Sequence, residues 1–161
     1  MKHHLRYLLA AAFLASPALP LRAQTVTKPT ITLELAKKIA VKAGAEAAKN
    51  KWNVVIAIVD DGGNLIYLEK MDGTQIGSID VAQAKAKTAL KFKRSTKVFE
   101  DVVAGGRTAI LSLPGVVAVE GGLPLVVDGT YIGAIGVSGV KSNEDGVVAE
   151  AGASVLAQVK K

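Results

Sequence analysis

Apolar positions along the chain alternate between helical and extended spacing. Between residues 33 and 50 they recur every three or four positions, with lysines on the other faces, which predicts a helix. Residues 54–59 form an apolar run rich in β-branched side chains and end at the turn sequence Asp-Asp-Gly-Gly-Asn; residues 65–70 then resume an extended pattern. This pattern predicts a hairpin whose first strand lies centrally and is covered on both faces.

The second half of the chain also combines helical and extended spacing. Residues 79–90 carry a helical stripe, and a shorter helix is predicted from Ser95 or Thr96 to about residue 103. Strands are predicted at 116–119, 124–127 and 131–140, the last two flanking an Asp-Gly turn, and Asn143 is the predicted N-cap of a last helix. The pattern therefore indicates one α/β (α+β) domain, with a five-stranded, mostly antiparallel sheet on which helices pack.

Glycines recur at every third position of the last predicted strand, at Gly133, Gly136 and Gly139. Glycine weakens a strand, so its repetition indicates that something approaches the backbone closely. Either a ligand or a tightly packed helix satisfies this requirement.

The first 23 residues have the three parts of a secretory signal. A basic start precedes an apolar run at 7–15, and a small residue, Ala23, stands at the expected cut. The apolar run is shorter than the ~20 residues that a membrane span needs, and no later segment is apolar enough to cross a bilayer. We therefore expect residues 1–23 to be removed, and residues 24–161 to be exported as a single domain, periplasmic or secreted.

Composition restricts the chemistry of the mature chain. The sequence has no cysteine, and both histidines, His3 and His4, lie in the predicted leader. A mature chain without imidazole or thiol excludes His-dependent triads, Cys nucleophiles and His metal ligands. Cleavage also lowers the formal charge from +6 to +3, since Lys2, Arg6 and Arg22 leave with the leader, and aromatic residues are few. Neither property is typical of a nucleic-acid partner.

Two sets of side chains remain as candidates for binding. One is an acid-free basic stretch that attracts carboxylates, phosphates or an acidic partner, or else serves only as a soluble surface; it comprises Lys85, Lys87, Lys91, Lys93, Arg94 and Lys97. The other set contains the remaining axial ligand types for a haem iron: the candidates are Tyr67, Met71 and Tyr131, beside the lysines.

Several segments, taken in order, resemble the GlcG/HbpS-type haem-binding family, which also includes the C-terminal domain of PduO-like proteins. The segments are Val59-Asp60-Asp61-Gly62-Gly63, Met71-Asp72-Gly73, Gly77-Ser78-Ile79-Asp80, Lys85-Ala86, Thr88-Ala89, Thr96, Gly121-Gly122-Leu123-Pro124, the stretch 132–139, and Asp145 with Val148 and Ala149. They span nearly all of the mature chain. Asn64 stands where many relatives have a histidine, so a strongly His-ligated haem is not expected.

The resemblance implies a profilin-like fold, a homo-oligomer and association with haem. In such a fold, the chosen ligand-binding residues border one pocket or a subunit interface, although each of them also has a purely structural interpretation. These residues are Met71, Asp72, Lys85, Thr88, Gly121 and Gly122.

Three functions agree with the sequence. The first is an exported protein that binds haem or another tetrapyrrole and acts in haem or iron handling. Haem would then be a cofactor that is held weakly or without a histidine ligand. The second is a periplasmic accessory or binding module for another small anionic organic ligand or for a partner oxidoreductase. The third is haem degradation; of the three, binding is favoured over enzymatic activity.

Overall fold

The computed structural model describes residues 26–158, so the predicted leader, residues 1–23, lies outside the described residues. The elements, in chain order, are α1 (Leu33–Lys49), β1 (Val55–Asp60), β2 (Leu65–Lys70), α2 (Ser78–Phe92), α3 (Thr96–Ala104), a 3₁₀ turn (Thr108–Ser112), β3 (Gly122–Val127), β4 (Thr130–Ser138), α4 (Ser142–Ala153) and a closing 3₁₀ turn (Ser154–Gln158).

The sheet is antiparallel throughout and has the strand order β2-β1-β4-β3. Strand β1 is central, as predicted, and its residues 55–59 are fully buried. Its even-numbered side chains, such as Ile56, join the cluster formed with α1 and α4. Its odd-numbered side chains, such as Ala57 and Val59, pack with α2 on the other face. The continuous apolar run in the sequence is thus explained by helices on both sides of one strand.

Helix α2 lies unusually close to strand β4, and the glycines of that strand allow this approach. A Cβ atom at Gly136 would lie 2.0 Å from the carbonyl oxygen of Ala82 and 2.6 Å from the nitrogen of Ala86. Ala82, Ala86 and Ala89 are fully buried along the helix face that meets the sheet. Gly133 and Gly139 instead face the backbones of Val59 and Asn53. A tightly packed helix therefore accounts for Gly136, whereas Gly133 and Gly139 make room for neighbouring extended backbone.

The prediction of five strands is wrong, because the sheet has four. Residues 116–119 do not pair with another strand. The backbone N–H of Val116 bonds to the carbonyl of Leu113 in a turn, and that of Val117 bonds to the Thr88 hydroxyl. Donors that a strand would give to its neighbour are thus already used by a turn and by helix α2.

The predicted cap of the last helix also needs correction. Helix α4 begins at Ser142, one residue before Asn143, and Lys141 is its N-cap residue. The Lys141 N–H donates to the Glu144 carboxylate at 3.1 Å, so a glutamate reaching back supplies the cap. Within residues 26–158, no helix has the length and apolarity needed to cross a membrane.

Replacing Gly136 by alanine should destabilise the protein by about 1–3 kcal/mol, because the added methyl must push α2 away from β4. Thermal or urea unfolding would measure the loss. Gly77→Ala is the control, since a Cβ there meets no atom within 4 Å, and it should change stability by less than about 0.5 kcal/mol. Equal stability of the two variants would contradict the close approach.

Candidate functional site

The six predicted ligand-binding residues do not form one pocket. Lys85, Thr88, Gly121 and Gly122 come together where β3 begins, alongside α2. Met71 instead packs against the apolar cluster on the α1 side of the sheet, and Asp72 is exposed in the following loop. Four of the six residues therefore lie near one another along α2 and the segment that leads into β3, whereas Met71 and Asp72 lie apart from them; ligand binding by any of the six stays a prediction.

Lys85 forms a buried ion pair with Asp145. The Nζ atom of Lys85 lies 2.8 Å from Oδ2 of Asp145 and donates a second hydrogen bond of 3.0 Å to the carbonyl of Val137. The two side chains are 1% and 2% exposed. Burial raises the pKa of the Asp145 carboxyl, an effect that the Lys85 ammonium partly offsets. Oδ1 of Asp145 also accepts from the Val140 N–H at 3.2 Å. The pair thus ties α2 to both the end of β4 and the start of α4.

Gly121 and Gly122 leave room for this ion pair. Gly121 has φ +122°, and a Cβ there would lie 3.0 Å from Nζ of Lys85 and 2.8 Å from Cβ of Asp145. A Cβ at Gly122 would lie 2.4 Å from the Lys85 carbonyl oxygen. The Gly122 N–H donates to the buried Thr96 hydroxyl at 2.9 Å. The two glycines therefore serve chain packing around Lys85.

Thr88 holds the segment before β3 against α2. Its hydroxyl donates to the Gly115 carbonyl and accepts from the Val117 N–H, both at 3.0 Å. Both hydrogen-bonding capacities of this fully buried hydroxyl are thereby satisfied. Thr88 is accordingly a structural residue in this arrangement.

Met71 and Tyr67 are poorly placed to ligate a metal. The Met71 methyl carbon would lie 3.6 Å from a Cβ at Gly44 of α1, which shows that the side chain fills the core. The Tyr67 hydroxyl donates to the Glu69 carboxylate at 2.7 Å, and this bond, together with burial, raises the pKa of the Tyr67 phenol. A raised pKa disfavours the phenolate that would bind iron.

A basic surface cleft lies at the C-terminal half of α2, and we call it the lysine cleft. Its volume is about 750 Å³. Four lysines and one tyrosine line it together with the two hairpin turns; the lining residues are Lys28, Asp61, Gly62, Gly63, Lys87, Leu90, Lys91, Lys93, Gly129, Thr130 and Tyr131. The described surface thus gathers several cations of the predicted basic stretch into one site.

Other members of the basic stretch lie elsewhere. Lys85 is buried, as described above. Lys97 pairs with Asp101 at 2.9 Å, and the Arg94 guanidinium lies 5.8 Å from the centre of the Phe99 ring. Lys85 is therefore structural, whereas Arg94 and Lys97 are exposed but lie outside the residues that line this cleft.

Tyr131 forms one wall of the lysine cleft. The Lys93 ammonium lies 5.2 Å from the centre of its ring, and its hydroxyl donates a long hydrogen bond of 3.3 Å to the Lys93 carbonyl. Across the cleft, Nζ of Lys28 lies 2.6 Å from Oδ2 of Asp61, and this hydrogen bond lowers the pKa of the Asp61 carboxyl. The cleft therefore carries an excess of positive charge, with one internal carboxylate.

Sequence reasoning identified Lys87, Lys91, Lys93 and Tyr131 but did not place them together, and it missed Lys28, Asp61 and Leu90 as neighbours. The two predicted hairpins could have indicated that these residues lie together. Because β1 and β4 are antiparallel neighbours, with Asp60 opposite Gly133, the turn after β1 and the turn before β4 lie at the same end of the sheet. Within residues 26–158, no group of three or more His, Cys, Asp or Glu side chains is arranged to hold a metal ion.

Substituting Lys85 by methionine should lower the free energy of unfolding by about 3–5 kcal/mol, because Asp145 is left buried without its counter-charge. Lys87→Met, two residues along the same helix but exposed, should cost less than about 0.5 kcal/mol. The double variant Lys85→Met with Asp145→Leu should recover part of the loss. Urea denaturation measures all three, and a Lys85→Met variant as stable as Lys87→Met would refute the role of the pair.

Known proteins resemble this chain over most of its length. The family model described as "Haem degrading protein HbpS-like" matches residues 31–154. Protein GlcG of Escherichia coli K12 is 44% identical over 112 residues, which cover 70% of this chain and 84% of GlcG.

Two solved structures share the fold. A double mutant of Streptomyces reticuli HbpS superposes with a TM-score of 0.76 and 32% identity, covering 92% of this chain and 99% of that chain. The structure described as the PduOC:heme complex gives a TM-score of 0.71 and 27% identity, covering 81% of this chain and 96% of that chain. The matches in sequence and fold confirm the resemblance drawn from the motifs, and this chain belongs to the HbpS-like family.

Proposed function

We propose that this protein is exported and binds haem or a related tetrapyrrole in the lysine cleft, for haem or iron handling. The observation that carries the proposal is the convergence of Lys28, Lys87, Lys91, Lys93 and the Tyr131 ring on one cleft. Membership of the HbpS-like family, and the haem named in the descriptions of the family and of the PduOC complex, give the ligand class.

The residues of the cleft fit the chemistry of a tetrapyrrole. Its volume of about 750 Å³ falls within the ~300–1,000 Å³ usual for small-molecule sites. Haem carries two propionate carboxylates, for which lysine ammonium groups are natural partners. Leu90, the Tyr131 ring and the side-chain-free turn at Gly62 and Gly63 provide surface against which a flat macrocycle can lie.

The chain's own groups would divide the binding between them. Lys87, Lys91 and Lys93 would orient the carboxylates, while Leu90 and Tyr131 would exclude water from one side of the ring. Lys28 already has a carboxylate partner in Asp61, so a ligand carboxylate competes with Asp61 for that ammonium. A bound haem would supply a ferric centre of redox and Lewis-acid character.

Neutralising the three helix-side lysines of the cleft should weaken hemin binding about tenfold, on the order of 1.4 kcal/mol for several partly exposed ion pairs. The variant is Lys87→Gln with Lys91→Gln and Lys93→Gln. Hemin titration followed at the Soret band measures the affinity of each protein for hemin. Rising salt should narrow the difference in affinity between the unaltered protein and the variant, because exposed ion pairs are screened.

The matched control removes three lysines from α1, on another surface: Lys37→Gln, Lys38→Gln and Lys42→Gln. It makes the same change in net charge and should leave hemin affinity unaltered. Equal weakening by both variants would show that only net charge matters, and it would remove the cleft from the proposal. An absence of saturable hemin binding by the unaltered protein would remove haem itself.

Two further functions keep specific support. The excess of cations in the cleft also suits another small anionic organic ligand, which native mass spectrometry of the protein purified from cells would reveal in place of haem. The family description includes haem degradation. Faster loss of the Soret band with ascorbate and oxygen, compared with free hemin, would support that activity, whereas an equal rate would favour binding alone.

Export and assembly form part of the same proposal. The leader begins with basic residues, continues with an apolar run and ends at a small residue. This order supports cleavage after Ala23 and a periplasmic or secreted product. The family resemblance drawn from the motifs implies a homo-oligomer, and a periplasmic partner protein would be the recipient or donor of the ligand.

Expression of the full chain in a bacterium should yield a periplasmic protein that begins at Gln24. Intact mass spectrometry of the periplasmic fraction identifies the first residue, and light scattering gives the subunit number. Retention of residues 1–23 on a cytoplasmic protein would contradict export, and a purely monomeric mass would contradict assembly.

A further inference from the structure

We propose that the phenol oxygen of Tyr131 binds the iron of a ferric haem held in the lysine cleft, so that the protein distinguishes ferric haem from metal-free porphyrin. This inference rests on the proposed function and adds to it the identity of the ligating atom.

Few ligand types remain in the mature chain. Histidine and cysteine are absent from residues 24–161, which leaves tyrosine, methionine and lysine among the groups that can bind haem iron. The sequence has three tyrosines, and one of these, Tyr7, lies in the predicted leader. The proposed function assigns the lysines of the cleft to the carboxylates of the ligand, so the choice of an iron ligand is between Tyr67, Tyr131 and Met71.

Geometry separates these candidates. Met71 packs against the apolar cluster on the α1 side of the sheet and does not line the lysine cleft, and the Tyr67 hydroxyl is held by Glu69 at 2.7 Å. Tyr131 alone of these three lines the lysine cleft described above. Its hydroxyl makes a hydrogen bond of 3.3 Å to the Lys93 carbonyl, which is longer than an ordinary O–H···O bond and is readily given up.

Charge also favours a phenolate bond to ferric iron. When the Tyr131 oxygen binds iron, the phenol proton leaves to water and the oxygen becomes an anionic ligand. The Lys93 ammonium lies 5.2 Å from the centre of the Tyr131 ring, so a cation already lies near the side chain that becomes anionic. An anionic oxygen is a hard ligand and prefers ferric over ferrous iron. Haem in this site should therefore bind in its oxidised state and loosen on reduction.

The test compares hemin with metal-free protoporphyrin IX, which has the same propionates without iron. The unaltered protein should bind hemin more tightly than protoporphyrin IX and give a high-spin ferric spectrum with phenolate modes in resonance Raman. Tyr131→Phe should weaken hemin binding about tenfold or more, remove those modes and leave protoporphyrin IX affinity unchanged. Tyr67→Phe is the matched control and should retain the spectrum of the unaltered protein.

Each alternative outcome has a distinct meaning. Equal affinity of the unaltered protein for the two porphyrins, or a low-spin nitrogen-ligated spectrum, overturns ligation by Tyr131 while tetrapyrrole binding stands. An unchanged spectrum in Tyr131→Phe does the same. Failure of both porphyrins to bind overturns the proposed function together with the inference. The Raman modes of the unaltered protein keep the test decisive even if Tyr131→Phe folds poorly.

Discussion

The contact between helix α2 and strand β4 is the constraint on which the rest of the structure depends. At Gly136 the helix backbone lies so near the strand that a methyl group has no room. This approach fixes the rotation of α2 about its axis. With that rotation, Ala82, Ala86 and Ala89 face the sheet, Lys85 points into the protein, and Lys87 and Lys91 face the solvent side of the cleft. One packing contact therefore decides which lysines are structural and which are available to a ligand.

Lys85 and Asp145 show how two charged side chains, whose desolvation is unfavourable, are accommodated in the interior. A buried ion pair is weak evidence for stability by itself, since desolvation offsets much of the attraction. Here the ammonium also satisfies the Val137 carbonyl, which lies beyond the last pairing of β4 with β3, and the carboxylate satisfies the Val140 N–H. The pair thus replaces backbone partners where the sheet ends. Its neighbours Gly121 and Gly122 are then explained by steric room, without a ligand.

The lysine cleft combines features that are individually unremarkable in a sequence. Turns at Gly62 and Gly129 provide low walls, Tyr131 provides an aromatic face, and α2 provides charge. Asp61 neutralises Lys28 within the cleft and so limits non-specific attraction of anions. The result is a site that combines several cations with one tyrosine side chain, in a chain that has no imidazole or thiol after residue 23.

The sequence by itself determined the order of the helices, both hairpins and the central position of β1, because periodicity and turn residues act over a few neighbouring positions. It also determined which ligand types are missing. The family followed from the resemblance of its ordered motifs. The tertiary structure decided the rest. The segment 116–119 has the sequence pattern of a strand, but its backbone N–H groups donate to Leu113 and Thr88. Lys85 and Lys87 are chemically alike in the sequence, yet Lys85 is buried and Lys87 is exposed. Burial, pairing and the meeting of distant side chains depend on how elements pack against each other, and local patterns along a chain do not encode that packing uniquely.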